Sequence, residues 1–149
     1  MEAFKLIIFM VVMVTCMQIH RTVDGNQPEV QNITIGVGQS YKTIVVGGTG
    51  GSWTIQSDPS FYNTWKKDQE KLIKPGVDYL VFNFQNGIHT VAEVSTADYN
   101  SCTITKPIKV YSISPANIIL PDAKPHNFIC TIGDHCKKGL KLSITALGH

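Results

Sequence analysis

Asn127-Phe128-Ile129-Cys130-Thr131-Ile132-Gly133-Asp134-His135-Cys136, and after Lys137-Lys138-Gly139 the run Leu140-Lys141-Leu142-Ser143-Ile144-Thr145-Ala146-Leu147, is the stretch that decides how the chain is read. In its second half Leu140, Leu142, Ile144 and Ala146 share one face while Lys141, Ser143 and Thr145 share the other. That period of two predicts a half-buried antiparallel strand. The first half runs apolar into a glycine-containing loop, so two strands are expected, joined by a tight connection that carries a thiol and, five residues on, an imidazole. Working outward, strand-like segments recur at residues 41–46, 78–84, 90–94, 104–110, 117–120, 127–130 and 140–147, with Gly, Pro and Asn between them. A further strand is expected around residues 33–35, and short helices at 59–67 and 96–100. At 149 residues there is room for one packed core but not for two domains. The expectation is a single all-β Greek-key sandwich with short helices.

The ends of the chain set its compartment. A start of Met-Glu-Ala-Phe-Lys leads into residues 6–17, which carry no charge. A bilayer span needs about 20 apolar residues, so this 12-residue run reads as a secretory leader rather than a membrane helix. Val23 and Gly25 are small enough to precede a cleavage site, which places the mature start at Asn26. Residues 26–42 then read as an N-terminal extension and residues 43–147 as the domain. Removing residues 1–25 deletes Lys5, Arg21, Glu2 and Asp24 and leaves the formal charge at +2, carried by lysine alone. Scattered lysines without arginine or a Gly-rich phosphate loop argue against nucleic acid as partner. Nothing after Leu147 resembles a polar spacer followed by a hydrophobic tail, so neither a lipid anchor nor a membrane span is expected. Asn32-Ile33-Thr34 is a glycosylation sequon in a chain expected outside the cell.

Cys16 falls in the leader, which leaves Cys102, Cys130 and Cys136 for an oxidising compartment. Three is odd: either two pair and the third has chemical work, or the chain cross-links to a partner. The surroundings favour work for Cys130. A Cu(II) ion favours one thiolate with two imidazoles in a trigonal arrangement, and the Cys130 loop supplies the thiol and His135. The third donor is His89, which follows the run Tyr79-Leu80-Val81-Phe82-Asn83-Phe84 and the turn Gln85-Asn86-Gly87. Zinc takes the same donor types, but a structural zinc site would need Cys102 and Cys136 reduced, against the secretory leader. A thiol hydrolase built on Cys130 and His135 would need an oxyanion device, and none flanks the pair. All four methionines lie within residues 1–17, so an axial thioether is ruled out for the mature chain. His126 and His149 read as solvated side chains.

With these residues assembled, residues 43–147 resemble the phytocyanins, the plant blue copper group of the cupredoxins. The resemblance is carried by Val45-Val46-Gly47-Gly48 before Trp53-Thr54, by Tyr79 to Phe84, by His89-Thr90-Val91, by Ala97-Asp98-Tyr99-Asn100-Ser101-Cys102, and by Phe128-Ile129-Cys130 through His135-Cys136 to Gly139-Leu140. It implies a cupredoxin fold, one type 1 copper ion held by His89, Cys130 and His135, and a disulfide from Cys102 to Cys136. Members with a complete site carry Met or Gln where this chain has Leu140. A leucine has no lone pair, so the axial position is expected to be non-ligating and the reduction potential raised. The function implied is a secreted, extracellular, apoplastic one-electron carrier: a monomer and not an enzyme, exchanging electrons with an acidic protein or a small-molecule reductant. The rival is a cell-surface or matrix recognition module on the same frame, with weak copper binding or none.

Overall fold

The computed structural model describes residues 34–35, 39–48 and 50–149. The leader expected at residues 1–25 and the sequon residue Asn32 lie outside them. Strand β1 (Thr34–Ile35) pairs antiparallel with β2 (Gln39–Ser40). A three-stranded sheet follows, in which β4 (Tyr79–Phe82) runs parallel to β3 (Thr43–Val45) and antiparallel to β7 (Ala116–Ile119). The second sheet is antiparallel throughout, in the order β6 (Lys109–Tyr111), β5 (Val91–Val94), β8 (His126–Ile129), β9 (Lys141–Ile144).

Alternation along the strands makes the core. Ile44, Leu80, Phe82, Ala116 and Ile118 of the first sheet pack with Val91, Phe128, Leu142 and Ile144 of the second, and Trp53, Tyr62 and Ile73 fill in from the segment between β3 and β4. The Phe82 and Phe128 rings meet between the sheets with centroids 5.2 Å apart, and Trp53 stands edge-on to Phe82 at 5.1 Å. The opposite face of β5 and β8 carries a smaller cluster of Ala92, Val94 and Ile129 with Cys136, Tyr99 and Cys102. The facing sides of both sheets are therefore covered, as a sandwich requires.

Two helices close the gaps. Helix α1 (Phe61–Gln69) continues into a 3₁₀ turn (Glu70–Leu72) and lies against β9: the Lys66 ammonium donates to the Ser143 carbonyl at 2.7 Å and the Glu70 carboxylate accepts the Thr145 N–H at 3.0 Å. Helix α2 (Thr96–Ser101) starts at Ser95, whose hydroxyl accepts the Asp98 N–H, and ends at Cys102 in the left-handed region at φ 53°.

The expected elements are present among the described residues, most with small shifts at their ends, and two boundaries are displaced furthest. The strand expected at residues 104–110 forms only at Lys109–Tyr111. Ahead of it, Thr103 and Thr105 give their hydroxyls to Asp98, and Pro107 has no N–H for a ladder. The last strand, expected over residues 140–147, ends at Ile144 because the N–H groups beyond it turn away from the sheet. Thr145 donates to the Glu70 carboxylate, Leu147 to the Glu70 carbonyl and Gly148 to the Ile73 carbonyl. The predicted apolar face survives the shortening, with Leu140, Leu142, Ile144 and Ala146 all fully buried. No helix among the described residues is long and apolar enough to cross a membrane.

Candidate metal centre

Past the end of β4 the chain makes a turn in which Ile88 and His89 both donate their N–H to the Gln85 carbonyl. Gly87 sits there at φ +79°, a conformation that glycine adopts without the steric cost of a Cβ. The turn is anchored from the β6–β7 connection, where the Ser114 hydroxyl accepts the Phe84 N–H and the Ser114 N–H reaches the Asn86 side chain. His89 thus enters β5 from a fixed point and is only 6% exposed. Cys130 leaves the end of β8 with its N–H bonded to the Leu140 carbonyl, and the Leu140 N–H returns to the His135 carbonyl, so the loop between β8 and β9 closes on itself. Gly139 turns the loop at φ +94°, so close to Pro59 that an added Cβ would stand 2.6 Å from its carbonyl oxygen. Beside His135, Cys136 forms the disulfide to Cys102 at the end of α2. Cys130 remains a free, buried thiol.

These constraints bring three donors together. His89 Nδ1 lies 3.2 Å from His135 Nδ1, Cys130 Sγ lies 3.6 Å from His135 Nδ1, and one donor atom from each of the three residues falls within 4.8 Å of the other two. Imidazole nitrogen binds a first-row ion at about 2.0–2.1 Å and thiolate sulfur at about 2.3 Å, so donors at these separations can share one ion. The set of one soft sulfur and two imidazoles suits copper. The Cys102–Cys136 disulfide removes the further thiolates that a structural zinc site would use.

The surroundings act on His89 and tie the donor segments together. Burial first, and the neighbouring His135 ring second, push the His89 imidazole below its usual range, so its lone pair is available at neutral pH. Its far nitrogen, Nε2, meets the Thr54 hydroxyl at 3.2 Å. The Thr90 N–H points at Cys130 Sγ from 3.5 Å, and the Thr90 hydroxyl accepts the Thr131 N–H at 2.9 Å, tying the His89 segment to the Cys130 segment. The Trp53 indole donates to the Thr90 carbonyl at 2.9 Å. Thr54, Thr90 and Thr131 were not legible as site residues, because a threonine in an extended run is an ordinary strand residue until its neighbours are known.

Leu140 is fully buried in the same apolar cluster as Cys130. His149 is exposed, as expected, but His126 is not solvated. Its Nδ1 stands 2.8 Å from the Glu93 carboxylate and its Nε2 3.3 Å from Asp122, with 11% of the side chain exposed, because its place on β8 points it into the end of the sandwich. Two lysines of this segment are likewise engaged. Lys138 pairs with Asp134 at 3.0 Å, and Lys141 donates to the Tyr99 carbonyl and covers the Tyr99 ring.

Comparison with known proteins matches residues 53–140 to the plastocyanin-like domain family. A blue copper protein of Arabidopsis thaliana is 45% identical over 95 residues, covering 64% of this chain and 47% of that protein. The basic blue protein of Cucumis sativus is 34% identical over 103 residues, 69% of this chain and 97% of that protein. Among solved structures, cucumber stellacyanin in its Cu²⁺ form superposes with a TM-score of 0.62 at 30% identity, over 72% of this chain and 96% of its own. The chain spans about half the length of the first curated relatives it matches.

Proposed function

From the premise that this chain belongs to the plastocyanin-like family, as a phytocyanin with the cupredoxin fold, we propose that it is a one-electron carrier with a single copper ion held by His89, Cys130 and His135. The observation that carries the reading is the thiol and two imidazole nitrogens lying within 4.8 Å of one another. When bound, copper supplies a Cu(II)/Cu(I) couple. Cys130 provides the thiolate, stabilised by the Thr90 N–H that faces it. His89 is buried and has its outer nitrogen against Thr54, so His135, which is partly exposed, is the edge through which an electron enters and leaves. Ile132, whose carbonyl accepts the His135 N–H, and Ile88 beside His89 are both exposed and give that edge an apolar rim.

In this proposal Leu140, buried in the same cluster as Cys130, would sit beside the bound ion and offer it no fourth donor. A hydrocarbon there offers no lone pair to Cu(II), which favours Cu(I) and raises the reduction potential. The disulfide and the leader together support secretion into the extracellular space. The one donor cluster among the described residues and the four histidines after residue 25 are too few for a multicopper oxidase, and the role is that of a carrier without catalytic turnover. The test is the visible spectrum of the purified protein loaded with Cu(II). An intense thiolate-to-copper band that vanishes in Cys130→Ser is expected. A protein that binds no copper and stays colourless would remove the carrier reading and leave the matrix-recognition module in its place.

A further inference from the structure

The segment Ser52-Trp53-Thr54 is held more tightly than a connection between two strands needs to be. Tyr62, on the first turn of α1 and 1% exposed, accepts the Thr54 N–H at 3.0 Å and donates to the Thr54 carbonyl at 2.8 Å, with the Ser52 carbonyl at 3.2 Å. Burial pushes the Tyr62 phenol up, so the hydroxyl stays protonated and keeps this donor role. Trp53 donates its own N–H to the Asn83 carbonyl at 2.6 Å and its indole N–H to the Thr90 carbonyl. The segment is thus fastened on both sides of His89: to Asn83 just past the preceding strand, to Thr90 that follows it and, through the Thr54 hydroxyl, to the outer edge of its ring.

The geometry points to Thr54 as a positioning residue for His89, which fixes the imidazole with its proton on Nε2 so that Nδ1 presents a lone pair to the other donors. The warrant is the ring's bidentate situation. Nδ1 faces His135 Nδ1 at 3.2 Å and Nε2 faces Thr54 Oγ1 at 3.2 Å, so a hydroxyl that accepts at one nitrogen leaves the other free. Because Tyr62 anchors the backbone on which Thr54 sits, helix α1 sets the ring's angle without touching the ring. This inference rests on the copper reading for its purpose but not for its test.

Nitrogen chemical shifts of the imidazoles in the metal-free protein, at mildly alkaline pH, report the His89 tautomer directly. The wild type is expected to carry the proton on Nε2, Thr54→Val to shift toward the Nδ1–H form, and Thr54→Ser to restore the wild-type shifts. Titrated with Cu(II), Thr54→Val is expected to bind about 10- to 100-fold more weakly, with Thr54→Ser close to wild type. Tyr62→Phe, which releases the anchor and keeps the hydroxyl of Thr54, is expected to broaden the His89 signals in the same direction and serves if Thr54→Val does not fold. A wild-type ring protonated on Nδ1, or Thr54→Val with unchanged tautomer and affinity, would overturn the assignment. A wild type that takes no Cu(II) while its tautomer still answers to Thr54 would sustain the positioning role and sink the copper reading.

Discussion

At Leu140 a side chain with no exposed surface shares its apolar cluster with Cys130, and the same residue's N–H and carbonyl close the loop that carries His135. The packing role seen here and the redox role proposed for this position are separable by the choice of substitution. Leu140→Ala removes buried methyl groups and leaves a cavity, and is expected to cost about 2–5 kcal/mol in denaturant unfolding. Leu140→Gln keeps most of the volume and adds a donor oxygen. It is expected to lower the reduction potential in protein-film voltammetry, and an unchanged potential would mean that residue 140 is not axial. The donors His89, Cys130 and His135 could be picked out because the residue types themselves carry the chemistry. Leu140 could be picked out only by contrast with a resembling family, and Thr54 not at all, since its role exists only once Tyr62 and Trp53 have folded around it.

Among the elements, helix α2 shows how short pieces are made to hold. Six residues cannot sustain a helix by propensity alone; Ser95 caps the start, and the Asp98 side chain takes the hydroxyls of Thr103 and Thr105 past the end. Those hydroxyls, Thr105 foremost, hold the Asp98 carboxyl below its ordinary value of 3.8. A depressed carboxyl contributes stability that is fully present above the unfolded value and is lost as pH falls below it. The urea midpoint of the wild type should therefore exceed that of Asp98→Asn at neutral pH, and the gap should narrow as pH is lowered through 3.8; a gap independent of pH would contradict the assignment. The strands were legible where alternation was clean, as in β9, or where β-branched and aromatic residues ran together, as in β4. Boundaries were not, because they are drawn by tertiary bonds: Asp98 holds back the start of β6, and Glu70 with Ile73 draws off the backbone after β9. The two-residue β2 offers no periodicity to read.

Over the whole molecule, the two sheets are joined by core packing, while the outer face of the second sheet is pinned by the Cys102–Cys136 disulfide across 34 residues. By the chain-entropy relation a loop of that length contributes about 3–4 kcal/mol, so the Cys102→Ala, Cys136→Ala double variant is expected to unfold at correspondingly lower denaturant, with its melting temperature as a second check. The donors come from segments of very different reach. Cys130 and His135 are 5 residues apart and belong to one loop, whereas His89 lies 46 residues before His135 and is delivered only when β5 docks on β8 with Ala92 opposite Ile129. A chain still emerging or half zipped can therefore grip an ion with two hands at most. Full grip arrives only once β5 has paired with β8, so an ion held tightly is a certificate that this long-range pairing has formed. Under mass action it also shelters the finished form, by about 2.7 kcal/mol when free ion stands at 100 times its dissociation constant.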